Sequence, residues 1–321
     1  MQMLEKRRTA VSLAAAWAAT SLRVGAAVLT VLAVVAPAAR AERIAVGGVE
    51  RTYALGGVRS SARGLLIVLH GGGGSGASAA RQFGMEPVAA RERLLIAYPD
   101  AIAKHWNDGR RDDRGRGSGA QADDVAFLSE LARAVARDID GGPVFVAGVS
   151  NGGMMTYRLA CETAGLFAGF AAVIANLPVD LAATCNPKRA QPVLIMNGTE
   201  DRLMPWRGGA IVAFGQSRGE VLSATATFER WRGWNRCAAA GSSEARADRD
   251  RGDGSTVSVS AATGCPAGGE TVLVTIMGGG HQIPRLAGRE RPLLDRFLGA
   301  ANRDIEAAEE IWHFFSAQLG K

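Results

Sequence analysis

Five short runs in which every residue is apolar recur through the middle of the chain, at 65–69, 94–98, 144–147, 170–174 and 193–196. A strand with one face in water alternates apolar and polar side chains. A run without alternation must be covered on both faces, as in a parallel sheet. Between the runs lie helical patterns, at 123–137 with Val125, Leu128, Leu131 and Val135 on one stripe, at 154–161 and at 222–234. A last strand at 271–277 and an amphipathic helix at 302–319, carrying Ile305, Ile311, Trp312 and Phe315, close the series. Strand and helix in alternation predict an α/β architecture, a doubly wound and mostly parallel sheet. Residues 42–56 differ: Ile44-Ala45-Val46, a Gly47-Gly48 turn and Arg51-Thr52-Tyr53-Ala54-Leu55 predict an antiparallel hairpin ahead of that sheet.

The polar, Gly-rich stretches 107–121 and 238–255 read as loops. With no internal repeat and no Pro-rich linker, 42–321 is expected to be a single domain. The first 41 residues have the layout of an export signal. Glu5-Lys6-Arg7-Arg8 opens it, 24–39 is a 16-residue uncharged run, and Ala39-Arg40-Ala41 offers small residues at the cleavage-determining positions. Sixteen residues are short for a membrane span, so cleavage before Glu42 is expected over anchoring. Arg7-Arg8 leaves the twin-arginine route open beside general secretion. Removing the segment takes a net +4 from the chain's +6 and leaves +2. The basic residues are 33 Arg and four Lys, a coding bias more than a chemical signal. A near-neutral balance gives no reason to expect nucleic acid or an anionic membrane as partner.

Cys161, Cys185, Cys237 and Cys265 are an even set in an exported chain, so two disulfides are expected. Of three possible connectivities the sequential one is favoured, Cys161 with Cys185 and Cys237 with Cys265. Each bridge would close a loop of about 25 to 30 residues and contribute roughly 3 to 4 kcal/mol in the chain-entropy picture. No cysteine pair has metal-ligand spacing and no His is near one, so no metal site is expected.

Ser150, in Gly148-Val149-Ser150-Asn151-Gly152, stands directly after one apolar strand and before a helix. A serine on such a turn is held out of the sheet beside a helix N-terminus. The pattern alone is weak: with 41 Gly and 17 Ser, chance supplies about 0.3 copies of G-x-S-x-G. A second copy does occur, around Ser217. Order along the chain separates them, because a serine hydrolase of α/β type places an acid and then a histidine after the nucleophile. Ser150 is followed by Asp201, after the strand ending Met196-Asn197, and by His281, after the last strand. It is preceded by His70-Gly71-Gly72-Gly73-Gly74, where such enzymes carry an oxyanion donor. Ser217 would leave the strands from 94 to 196 unexplained and reads as a loop serine. His281 is reached by elimination, since His70 belongs to the oxyanion loop, His105 comes too early and His313 lies within the terminal helix. Glu200 and Asp180 compete with Asp201 for the acid. The set points to ester hydrolysis through an acyl-enzyme, with the N–H of Asn151 and one of Gly71 or Gly72 as oxyanion donors and no cofactor.

The segments LHGGGGSG, GVSNGGMMT, GTEDRLMPW, GGGHQIP and NRDIEAAEEIWHFF, spread over about 65–315, resemble secreted poly(3-hydroxybutyrate) depolymerases and feruloyl esterases, the LpqC-like group of α/β-hydrolases. The resemblance implies Ser150 as nucleophile, Asp201 as acid and His281 as base, and extends to the four cysteines. It departs at Gln282-Ile283-Pro284, where many members carry an aromatic residue before the proline, and near Trp106-Asn107, where some carry cysteines. Trp106 and Trp206 are candidates for lining the acyl cleft. The function this implies is a secreted, extracellular or periplasmic, serine carboxylic-ester hydrolase on poly- or oligo(3-hydroxybutyrate)-type polyesters. Alternatives are a feruloyl or acetyl xylan esterase, a peptidase, and a catalytically silent binding domain.

Overall fold

The computed structural model describes residues 41–110, 122–139, 141–213, 215–287 and 292–319. The segment expected to direct export therefore lies outside the described residues, except for Ala41, which pairs with Ala54. The strands are β1 (Ala41–Val46), β2 (Val49–Gly57), β3 (Gly64–Leu69), β4 (Leu94–Pro99), β5 (Val144–Val149), β6 (Gly169–Val173), β7 (Val193–Gly198), β8 (Gly209–Ala213), β9 (Gln216–Val221), β10 (Ser243–Ala245), β11 (Thr256–Ala261) and β12 (Thr271–Met277). The helices are α1 (Gly76–Phe83), α2 (Glu86–Glu92), α3 (Asp124–Ala136), α4 (Asn151–Glu162), α5 (Val179–Thr184), α6 (Ala224–Trp234), α7 (Pro292–Leu298) and α8 (Ala307–Ser316).

Ten strands form one sheet in the order β1-β2-β4-β3-β5-β6-β7-β12-β11-β10. Its centre, β4 to β12, is parallel, as the unbroken apolar runs require. Both margins are antiparallel. At the first margin Gly47 and Gly48, at φ 58° and 79°, make the two-residue turn that joins β1 to β2. All positions of β3 to β7 are buried. Alternate side chains divide between two layers. Leu65, Ile67 and Leu69 pack with Phe127 and Leu131 of α3, Tyr157 of α4 and Trp231 of α6. Leu66 and Val68 pack with Phe83 of α1, Val88 of α2 and Phe315 of α8. Phe315 stacks on Phe145 of β5 at 4.6 Å between ring centroids. This is the doubly wound arrangement expected from the sequence.

Three expectations need correction. The terminal helix begins at Ala307, five residues later than the apolar pattern suggests. Asn302 donates to Ser255 Oγ and Asp304 Oδ2, and Asp304 Oδ1 accepts the N–H groups of Arg249 and Asp250. These side-chain bonds give the backbone an alternative to the helix. The stretch 238–255 is not wholly loop, because it contains β10, an exposed edge strand with no apolar signature. Ser217 is an exposed residue of β9, which pairs with β8, and so stands in a hairpin instead of a loop. Of the stretch 107–121, the described part, 107–110, is irregular as expected.

Among the described residues no helix is long and apolar enough to cross a membrane. The cysteines pair sequentially, Cys161 with Cys185 and Cys237 with Cys265. The first bridge ties the last turn of α4 to the residue that ends α5. Replacing Cys161 and Cys185 together by Ala should lower stability by about 3 kcal/mol, from the loop-closure entropy restored to the unfolded chain. A lower denaturation midpoint is the expected reading, with a steeper slope because the unfolded chain without the bridge is less compact.

Candidate active site

The ends of β3, β5, β7 and β12 lie on one rim of the sheet, since these strands run parallel in the centre. Ser150 follows β5 immediately and α4 begins at the next residue. Its backbone, at φ 54° and ψ −117°, is in a region that costs a non-glycine residue on the order of 1–3 kcal/mol. Two hydrogen bonds hold it there, from Ser150 N–H to Val173 O at 2.9 Å and from Met154 N–H to Ser150 O at 2.9 Å. So tight a turn demands glycine on either side. A Cβ on Gly148 would lie 2.2 Å from the carbonyl oxygen of Gly152, and one on Gly152 would lie 2.5 Å from that of His70.

Asp201 and His281 reach Ser150 from the neighbouring pair β7 and β12. Asp201 Oδ1 accepts the N–H groups of Leu203 and Met204, at 2.8 and 2.7 Å. That leaves Oδ2 to the imidazole, whose Nδ1 is 2.7 Å away. A carboxylate only accepts, so the proton is on Nδ1 and Nε2 is an acceptor. Nε2 lies 3.1 Å from Ser150 Oγ. The side chains of Asp201 and His281 are 1% and 9% exposed, which excludes most water from the bond between them. The histidine turn is held from behind by the last residue of α7 and the chain just after it, through His281 N–H to Leu298 O and Gly280 N–H to Ala300 O. Gln282, at the departure from the family pattern, donates to Asp295 Oδ1 and to Gly299 O.

The loop after β3 packs directly on the serine turn. A Cβ on Gly71 would be 3.6 Å from Ser150 Cβ, and one on Gly72 would be 3.7 Å from Asn151 Cβ. Asn151 is the first residue of α4, so its N–H has no partner within the helix. His70 is fully buried and braces the loop: Nδ1 donates to Gly71 O, and Nε2 accepts Ala101 N–H. Burial holds its pKa below the ordinary value of 6.5.

Trp106 does not line the cleft. It is buried completely, 5.0 Å from the His70 ring, and its Nε1 donates to His70 O. Satisfying the indole N–H inside the core explains why the side chain turns inward. Trp206 is half-buried on the chain that leaves Asp201. His105, set aside by its early place in the chain, is exposed beside the oxyanion loop, its ring 3.2 Å from where a Gly72 Cβ would be. Asp108 and Arg110, which no motif singles out, are buried next to Asn151. Their one sequence signal is an acid and a base flanking a glycine inside a polar stretch. Among the described residues no group of three or more His, Cys, Asp or Glu side chains could hold a metal.

No family model matches the sequence. A relative from Nocardia uniformis subsp. tsuyamanensis, "Putative esterase NocK", is 30% identical over 258 residues, 77% of this chain and 72% of that protein. The chain belongs to this esterase family. The chain is also 24% identical over 201 residues to feruloyl esterase B of Piromyces equi, covering 60% of this chain and 34% of that protein. Among solved structures, an acetyl xylan esterase from Aspergillus awamori superposes with a TM-score of 0.53 at 13% identity, over 77% of this chain and 95% of that one. It shares the α/β-hydrolase fold.

His70 supplies a pH test of the oxyanion loop. The unfolded chain takes up a proton near 6.5, whereas the folded chain does so only at lower pH. The unfolded state therefore binds more protons in that window, and stability should fall as pH drops below 6.5. Ring ¹⁵N shifts should show the proton on Nδ1 of His70 in the neutral ring and a titration midpoint below 6.5.

Proposed function

We propose that Ser150, His281 and Asp201 are the nucleophile, general base and orienting acid of a carboxylic-ester hydrolase. The observation that carries the reading is the unbroken chain of hydrogen bonds from Asp201 Oδ2 to His281 Nδ1 and from Nε2 to Ser150 Oγ. Ser150 Oγ attacks the ester carbonyl while Nε2 takes its proton, and the imidazolium that forms is stabilised by Asp201. The carbonyl oxygen becomes an oxyanion, received by the N–H of Asn151 and that of Gly71 or Gly72 at the positive end of α4. Collapse of the tetrahedral intermediate breaks the bond to the alcohol, which leaves with the proton from Nε2. Water then attacks the acyl-enzyme by the same route, and the released acid regenerates Ser150.

For the substrate we propose oligoesters of the 3-hydroxybutyrate type, on the resemblance of the five motif segments. Feruloyl or acetyl xylan esters are the second reading, favoured by the similarity to feruloyl esterase B. Export fits the two disulfides and the layout of residues 1–41. A silent binding domain would have no need of a strained, oriented serine.

Ser150→Ala should reduce hydrolysis of p-nitrophenyl esters by on the order of 10⁶-fold, and Asp201→Asn by about 10⁴-fold. Ser217→Ala should leave it unchanged. A fluorophosphonate probe should modify Ser150, as read by peptide mass spectrometry; modification at Ser217, or none, defeats the assignment. Relative kcat/KM on hydroxybutyrate oligomers, methyl ferulate and acetylated xylan decides the substrate class.

A further inference from the structure

The triad chemistry leaves Asp108 and Arg110 without a role, although both are buried within reach of the serine turn. Arg110 Nε lies 3.0 Å from each Asp108 oxygen, and its Nη2 lies 2.7 Å from Oδ2. The same Oδ2 accepts Asn151 Nδ2 at 2.6 Å. Asn151 Nδ2 also donates to Trp106 O at 3.1 Å, while its Oδ1 accepts Trp106 N–H at 2.8 Å. Because a carboxylate cannot donate, it fixes which end of the Asn151 amide faces it. The Asn151 amide is thereby held at both ends, on the same residue whose backbone N–H receives the oxyanion.

Arg110 also reaches outward. Its Nη1 donates to the carbonyl of Arg218 in β9, and its stem lies over Gly219, where a Cβ would be 3.2 Å from Arg110 Cδ. The second G-x-S-x-G segment thus has a physical use unrelated to nucleophilic serine. Its first glycine, at φ 73°, lies at the turn of the β8–β9 hairpin, and its last, at φ 88°, gives the hairpin a seat on Arg110.

We propose that the Asp108–Arg110 ion pair positions the oxyanion hole, aiming the Asn151 N–H and docking the β8–β9 hairpin against the serine turn. The inference rests on the proposed roles of Ser150 and Asn151. Charge balance gives it a second edge. A carboxylate lodged behind Asn151 would oppose the negative charge that develops on the substrate oxygen, and Arg110 cancels it in place. Asp108 and Arg110 touch no reacting atom and are positioning residues.

The test compares an ester with its thionoester, because a thiolate-like anion gains less from fixed N–H donors than an oxyanion does. Active sites are counted by fluorophosphonate titration carried to completion, so that unfolded protein drops out. Arg110→Met should lower kcat per titrated site by about 10- to 100-fold, the scale of a displaced donor, with KM nearly unchanged. The ester-to-thionoester rate ratio should fall about tenfold, since only the oxyanion loses its donor. Arg110→Lys, which keeps the charge without the fork, should recover part of the loss. Asp108→Asn combined with Arg110→Met should be several-fold faster than Arg110→Met alone, because the side chain that has lost the Arg110 fork is then neutral. An unchanged ester-to-thionoester ratio in Arg110→Met, or equal losses on both substrates, overturns the inference and leaves the triad standing. Should Arg110→Met give no titratable enzyme, Gly219→Ala displaces the Arg110 stem without removing charge. It should lower the ratio in the same direction by a few-fold, and an unaltered ratio overturns the inference. If the wild-type chain is not labelled at Ser150, the proposed function falls and this inference falls with it.

Discussion

The contact between the end of β5 and the start of α4 is the constraint on which the rest of the molecule turns. Gly148 meets the Gly152 carbonyl so closely that neither could carry a side chain. The chain must therefore reverse within one residue, and Ser150 is raised off the sheet with its backbone in a strained region. Strain of this kind persists only where surroundings over-determine it. Here they do so from three directions: β6 through Val173 O, the oxyanion loop through the His70 carbonyl packed on Gly152, and α4 through Met154. The same geometry aims the positive end of α4 past the hydroxyl, where a developing anion would lie.

A parallel sheet then supplies the partners without further invention. β7 and β12 are adjacent, so the turns after them are adjacent too, and a Cβ on Gly198 would strike the carbonyl of Gly279. That contact sets the spacing between acid and base more rigidly than the hydrogen bond between them could alone. The carboxylates in this part of the molecule differ in their surroundings. Asp201 is satisfied by two backbone N–H groups and an imidazole. Asp124, buried beneath the same region, has its pKa raised by desolvation against the opposing pull of Asn107 N–H and the Arg51 guanidinium.

The architecture was legible wherever one rule of pattern had no rival. Apolar runs without alternation can only be strands covered on both faces, and they delimit β3 to β7 to within one or two residues. Ser150 was legible through order along the chain, not through its motif, which occurs twice. Reading failed where side chains bond locally or where tertiary context decides. The apolar stripe from Ile305 onward carries no trace of the Asn302 and Asp304 bonds that delay α8. α1 is hard to read although Ser75 and Ser78 form a reciprocal cap, because it is only eight residues long and Phe83 is its one large apolar side chain. Trp106 was assigned to the cleft by residue type, and its indole N–H found a partner in the core instead.

Buried charge near a catalytic turn is poor evidence for stability, since apolar residues of the same volume commonly do as well or better. What apolar residues cannot do is hold an amide. In place of Asp108 a leucine would fill the volume and leave the Asn151 amide held by Trp106 alone, through its carbonyl and its N–H. Nor would lysine replace Arg110, because one ammonium group cannot engage both carboxylate oxygens in the plane and still reach the Arg218 carbonyl. The requirement is for a planar fork with donors left over. Through Asp108 and Asn151 it joins the β8–β9 hairpin to the turn that carries Ser150. The cost of burying that pair is reason to expect that precise donor placement at Asn151, and not added stability, is what retains it.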